Sequence, residues 1–388
     1  MAIPSGMMPS DTENTHFGLA FMPILQKIVI SDFRNIRFQE IEFSPKINCI
    51  WGNNGEGKTN LLDAIYYLSM TKSAFGVGDS FNCRHGCDGF SLAGTYRMPS
   101  SLQSRFSISV KRGEEKKLRC DDKPYARISE HIGKLPVVIV APSDTSLVSD
   151  SGDERRRFIN AVISQISPEY LSALQQYNRL LSQRNRLLKE ESLDPALLDV
   201  IDFKMSSLAD AIHAKREEFC RPLTEAVNEY CLRLSGEKES VGIRYRSEID
   251  RAPLSELLKE SFERDRIMKY TTVGVQRDDF IFEMDGYPIR RFGSQGQQKT
   301  FLLALKLAQF DLMREAFGFA PLLLLDDVFD KLDMLRTKNL LQMVSSDDFG
   351  QIFITDSNKV RMSSLVESLE SDKAYFETAD GEFTRTEK

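Results

Sequence analysis

Gly52-Asn53-Asn54-Gly55-Glu56-Gly57-Lys58-Thr59 fits the pattern G-x-x-x-x-G-K-[ST] without a gap. Before it runs Ile47-Asn48-Cys49-Ile50-Trp51, a short apolar stretch that predicts a strand. After it, Leu61, Leu62, Ile65 and Leu68 recur at helical spacing. Strand, glycine-rich loop and helix in that order are what this motif needs in order to hold a phosphate. The glycines let backbone N–H groups wrap the anion, and the helix N-terminus adds its positive dipole end. Lys58 is the residue expected to reach the β- and γ-phosphates, and Thr59 to ligate Mg²⁺.

A second candidate half of the site lies far downstream. Leu322-Leu323-Leu324-Leu325-Asp326-Asp327 is an apolar strand ending in two acids. A central strand puts Asp326 at its carboxyl end, beside the loop, where it would hold Mg²⁺. Asp327 is placed to polarise an attacking water. Roughly 270 positions separate Lys58 from Asp326, too many for one compact site without an insertion. The segment 149–240 supplies it. From Asp153 onward the pattern is helical and charged, with helices predicted over Asp153–Ile166, Pro168–Glu191 and Ala196–Leu234, the last broken near Pro222. The expected organisation is therefore a leader at 1–21, a head at 22–148, a helical arm at 149–240 and the returning head at 241–388.

Bulk properties narrow the class. The chain has 388 residues and a net charge of −6, so any nucleic-acid contact must use a local basic surface. No apolar run is long enough to span a bilayer. The first 21 residues lack Lys and Arg and any sustained apolar stretch, which argues against a signal peptide, and Met22 is a candidate start. Six scattered cysteines fit a reducing cytoplasm, and Cys83 with Cys87 lacks a second ligand pair for zinc. Around the hairpin at Arg112-Gly113, Lys111, Lys116, Lys117 and Arg119 read as a solvated turn more than a DNA contact. Arg155, Arg156 and Arg157 open a helix, where cations oppose the dipole, so they favour a binding role. Trp51 reads as core; His85 and His131 read as surface residues.

Ser294-Gln295-Gly296-Gln297 precedes a long helix and reads as a capping box, whose free N–H groups favour an anion. Together, the loop, this S-x-G-Q segment and the strand with paired acids resemble the ABC/SMC-type ATPases. The details are similar to the RecF family of bacterial recombination proteins over almost the whole chain from Met22. Ser294 to Thr300 resembles the family signature, and Asp326 to Asp333 its Walker B and D-loop, with Asp327 in place of a glutamate. Phe33-Arg34-Asn35 resembles an early loop that touches nucleotide, and Arg155 to Ile159 the opening of the arm.

The resemblance implies an α/β head of the ABC/SMC P-loop type, discontinuous in sequence, with an inserted helical arm. It implies an ATP-dependent homodimer. Gly52, Asn53, Asn54, Gly55, Glu56, Gly57, Lys58 and Thr59 of one copy would bind ATP with Arg34, while Ser294, Gly296 and Gln297 of the other cap the γ-phosphate. Thr59 and Asp326 would hold the metal, and Lys58 and Asp327 would serve hydrolysis. Implied partners are single-stranded and gapped or junction DNA and RecO- and RecR-like mediators, with recombinase loading and SOS induction as the outcome. Gly274-Val275-Gln276-Arg277 departs from the family's Gly-Pro-His-Arg, and Thr355-Asp356 stands where transporter ATPases carry a histidine; with Asp327, these imply slow, DNA-stimulated turnover. Other readings are another SMC-like head from a nuclease or defence system, or a nucleotide-binding scaffold without turnover.

Overall fold

A computed structural model describes residues 22–387 except 101, 193, 237–238, 347 and 363–371, and the expected leader lies outside them. The chain opens with β1 (Ile24–Phe33), β2 (Ile36–Glu42) and β3 (Ile47–Trp51), then α1 (Lys58–Met70). A meander follows: β4 (Gly89–Arg97), β5 (Gln103–Lys111), β6 (Lys117–Cys120) and β7 (Lys123–Pro124), then β8 (Val137–Val140). Next come α2 (Ser146–Ser149), α3 (Gly152–Ile166), α4 (Pro168–Leu187) and α5 (Pro195–Ser235). A small unit holds β9 (Val241–Arg246), α6 (Leu254–Met268), β10 (Asp279–Met284), β11 (Tyr287–Pro288) and α7 (Ile289–Phe292). The chain ends with α8 (Gln295–Phe317), β12 (Leu322–Leu325), α9 (Met334–Val344), β13 (Ile352–Asp356), β14 (Lys373–Ala379) and β15 (Glu382–Thr386).

The strand order β15-β14-β3-β13-β12-β8 makes one sheet, parallel from β14 to β8 with β15 as an antiparallel edge. Its central strands are apolar on both faces, and β3, β8, β12 and β13 are buried throughout. That is the signature of a parallel sheet covered on both sides. Successive side chains point to opposite faces. Ile50, Leu322, Leu324 and Phe353 therefore join a core with α1 and the antiparallel sheet β2-β1-β4-β5-β6-β7. Cys49, Trp51, Leu323, Leu325 and Ile354 join a second core with α3, α8 and the arm. Trp51 is core, as read from sequence, with its ring 5.9 Å from that of Tyr375.

Three expectations change. Helix α5 is not broken near Pro222; it runs 41 residues from its Asp194 cap to Gly236 in the left-handed region. Packing of its buried face against α4 and α8 compensates the backbone hydrogen bond that proline removes. Val241–Arg246 and Asp279–Met284, which the sequence reads as strands alternating with helices and so as part of a parallel sheet, instead pair antiparallel with each other beside α5. His131 is fully buried, not a surface residue: Nε2 lies 2.7 Å from the Leu68 carbonyl and Nδ1 3.3 Å from the Tyr125 hydroxyl. His85 is exposed.

Candidate nucleotide site

The loop after β3 turns tightly enough to require glycine. Gly57 caps α1 at φ 110°, and a Cβ there would meet the Asn35 amide at 3.0 Å. At Gly52 a Cβ would fall 2.5 Å from the Thr378 carbonyl oxygen. No acid lies in the first turn of α1, so its free N–H groups have no built-in anion. Lys58 is nearly buried and arches over the loop, donating to the Gly52 carbonyl at 2.7 Å and the Asn53 carbonyl at 3.1 Å. The lysine charge and the uncapped N-terminus of α1 thus lie together at the loop.

Asp326 meets this loop from β12. Register explains why: β12 lies beside β13, with Leu325 opposite Ile354, and β13 lies beside β3, with Asp356 opposite Trp51. Sheet order therefore carries Asp326, Thr355 and the start of the loop to the same edge. The Thr59 hydroxyl lies 2.8 Å from Asp326 Oδ2 and 3.1 Å from Oδ1. Burial pushes the Asp326 carboxyl above its usual range, opposed by hydrogen bonds from Thr355 and Thr59. A buried carboxylate beside a hydroxyl suits a hard cation, because Mg²⁺ uses one or two protein oxygens together with substrate phosphates. Among the described residues no group of three or more His, Cys, Asp or Glu side chains gathers to hold a metal ion, here or elsewhere. Asp327 follows with φ 45°, a left-handed backbone, and its N–H donates to Thr355 Oγ1 at 2.9 Å.

Sequence reasoning missed part of this shell. Thr355, noted only as a departure from transporter ATPases, fixes both acids. Glu56 is held by the β14–β15 turn: its carbonyl accepts from Thr378 Oγ1 at 3.0 Å and from the Gly381 N–H at 3.0 Å, and its carboxylate from the Asp380 N–H. The signal available was the Ala379-Asp380-Gly381-Glu382 hairpin turn, but nothing in the sequence says what it touches.

Arg34 stands near the loop but faces α1. At φ 51° it sends its guanidinium to Asp63 at 2.6 Å, Ser73 at 3.0 Å and Asn60 at 3.3 Å. Asn35 reaches the loop instead, donating from Nδ2 to the Gly55 carbonyl at 3.5 Å while its Oδ1 accepts from Asn60 Nδ2 of α1 at 2.7 Å. Asp63 is fully buried, and burial pushes its carboxyl up against the pull of Arg34 and the Ala74 N–H.

Ser294 and Gly296 lie elsewhere on the surface. Ser294 closes a capping box: its side chain accepts from the Gln297 N–H at 3.3 Å, and Gln297 Oε1 accepts from the Ser294 N–H at 2.9 Å. Among the described residues, neither bonds to the loop of its own chain. Further along α8, Lys299, Leu302 and Leu303 line a cavity that also touches Asp326 and Asp327. The arginines that open α3 are mostly structural, which corrects the binding role expected of them. Arg155 forks onto Asp279 at 2.9 and 3.2 Å, and Arg156 bonds the Asp278 carbonyl and Asp153. Arg157 is exposed and pairs with Glu154 at 2.6 Å. At the 111–119 hairpin, Lys117 pairs with Glu114 at 2.8 Å, while Lys116 turns inward to the Thr71 carbonyl and Asp79.

A glycine cradle, a buried lysine, a threonine–aspartate pair on a parallel sheet and an antiparallel sheet packed across α1 define a P-loop ATPase head of the ABC/SMC type. A profile described as an AAA domain matches residues 27–219. The chain is 44% identical over 363 residues to the DNA replication and repair protein RecF of Phocaeicola vulgatus, covering 93% of this chain and 98% of that one. It is 42% identical over 366 residues to RecF of Bacteroides fragilis, covering 94% and 99%. The structure of the recombination mediator protein RecF-ATP in the RecFOR pathway superposes with a TM-score of 0.87 at 30% identity, covering 96% of this chain and 100% of that chain. The Smc head domain of Pyrococcus furiosus, at 16% identity and a TM-score of 0.55, shares the fold alone, over 94% of this chain and 96% of that chain. The chain belongs to the RecF family of DNA replication and repair proteins.

Proposed function

We propose that this chain is an ATP-dependent DNA-binding switch of recombinational repair, in which two copies close on each other around nucleotide. The observation that carries it is the Thr59–Asp326 contact, which joins the glycine loop to the acidic strand end across the insertion. The similarity to RecF-ATP supports ATP as the ligand.

In this reading the Gly52–Thr59 backbone and Lys58 neutralise the phosphates of ATP. Thr59 and Asp326 would hold Mg²⁺, which would offset the charge of the phosphates. Asp327 orients the attacking water. Ser294, Gly296 and Gln297 offer a second helix N-terminus, so two chains share one γ-phosphate. Loss of that phosphate removes the charge both helices share and releases the pair. Slow hydrolysis then times how long the dimer stays on single-stranded or gapped DNA, held through backbone phosphates while RecO- and RecR-like mediators load recombinase. The helical arm, expected over 149–240, takes in the small sheet as well, because β9 and α6 pack against α5. Among the described residues no helix is long and apolar enough to cross a membrane.

The test is sedimentation with and without ATP·Mg²⁺, for the parent chain and for Ser294→Arg. Nucleotide-dependent dimers that the arginine abolishes support the reading. A parent chain that stays monomeric at saturating nucleotide, with and without DNA, overturns it. Dimers with no turnover leave the scaffold reading in its place.

A further inference from the structure

Arg336 occupies the first turn of α9, where a cation opposes the helix dipole. Its side chain explains the position. The guanidinium makes three bonds to three different elements. Nη1 donates to Asp333, the residue that caps α9. Nε donates to Thr300 Oγ1 at 2.6 Å, on the second turn of α8. Nη2 donates to Glu239 Oε1 at 2.9 Å, just past the end of α5.

The Thr300 hydroxyl is fully buried and gives its own proton to the Gly296 carbonyl at 3.0 Å. Its lone pair is therefore free for Arg336, and the two bonds do not compete. Glu239 is buried, and its Oε2 has no partner among the described residues. Arg336 is the cation that offsets that charge. A second tie runs alongside: Asn339 Nδ2 donates to the carbonyls of Arg233 and Leu234 at 3.0 and 3.3 Å.

We infer that Arg336 is a positioning residue that locks Asp333 and the Ser294–Gly296 turn into one body and joins that body to the root of the arm. This rests on the proposed ATP-closed dimer, in which the Ser294–Gly296 turn faces the second copy and Asp333, in the D-loop-like stretch, would pair across the same seam. If they hinge separately, each must be ordered at closure; if Arg336 holds them, closure finds them already set. The same fork gives a physical route by which clamping at Gly296 is felt at Glu239 and α5. A lysine cannot replace it, because one ammonium cannot reach three acceptors in a plane.

The experiment compares the full-length parent with Arg336→Lys, Arg336→Ala and Glu239→Gln. Binding of a fluorescent ATP analogue to dilute monomer is expected to stay within about twofold, since Arg336 makes no bond to residues 52–59. The concentration for half-dimerisation with ATP·Mg²⁺ is expected to rise about tenfold or more in both Arg336 variants. Glu239→Gln is expected to keep the dimer while losing ATP-induced hydrogen-exchange protection at residues 228–236. Unchanged dimerisation in both Arg336 variants overturns the inference. So does unchanged arm protection in Glu239→Gln. If the parent itself fails to dimerise, the function reading fails separately; the fork is then judged on nucleotide-free monomer. There Arg336→Ala must speed exchange at both 296–301 and 231–236, and no change at either sinks it.

Discussion

The Thr355 hydroxyl donates to Asp326 Oδ1 at 2.8 Å and accepts the Asp327 N–H at 2.9 Å. One side chain on β13 thus aims both acids at the end of β12. Thr355→Val keeps the branched shape and removes both bonds, leaving an N–H without its acceptor. The expected loss is about 1–3 kcal/mol. Urea unfolding of the nucleotide-free protein measures it, and Thr355→Ser should retain most of the stability. Equal midpoints for valine and parent would show that the hydroxyl does not hold the acids.

The Arg34–Asp63 pair makes a different demand. Arg34→Met strands a fully buried carboxylate, with an expected cost of about 3 kcal/mol, the low end for a buried pair because the guanidinium keeps some contact with water. Adding Asp63→Asn removes the charge but keeps the bonds to Ser73 and the Ala74 N–H, and should restore most of the loss. Thermal unfolding of the two variants is the check. A single variant as stable as the parent but weakened tenfold in ATP binding would assign Arg34 to the nucleotide instead.

Lys58→Ala separates binding from folding. The parent should gain about 2.7 kcal/mol of stability when ATP is present at a hundred times its Kd. The variant should gain almost nothing at that concentration. Without nucleotide the two should unfold within about 1 kcal/mol of each other, since Lys58 donates only to loop carbonyls. Retention of the ATP-dependent shift would remove Lys58 from the site.

His131 sets a pH dependence. Burial holds its imidazole below the ordinary value of 6.5, with the Leu68 carbonyl pulling the other way. The unfolded chain therefore binds the proton first as pH falls. Stability from this group is complete above about pH 6.5 and is lost as pH drops toward the folded value. Unfolding free energies measured from pH 7.5 to 5 should decline, and His131→Asn should flatten that decline while lowering stability overall. An unchanged slope in the asparagine variant would mean that other groups carry it.

Much of the head could be read from local pattern. The loop, both strands that feed it and the Ser294 cap follow from glycine placement, apolar runs and a capping box, all of which act within a few residues. Arg155 and Arg156 were misread because their partners, Asp279 and Asp278, lie more than a hundred positions away. Thr355 was passed over for the same reason: its value comes from strand order, which places β13 between β3 and β12. Pro222 was expected to break α5, since intrinsic propensity cannot see the packing that holds the helix together. His131 read as a surface residue because its partner, the Leu68 carbonyl, is a main-chain group on α1 more than sixty positions away.

The unbroken course of α5 has a mechanical result. At 1.5 Å per residue, its 41 residues make a rod about 60 Å long. Its C-terminal end sits beside α9, and nearer its N-terminal end Asp202 accepts from Arg184 of α4. A tilt of about ten degrees at the fixed end would sweep the free end through roughly 10 Å, given that helix rise. A shift of tenths of a nanometre at the root of α5 would thereby be geared up to about a nanometre at its far end, given that helix rise.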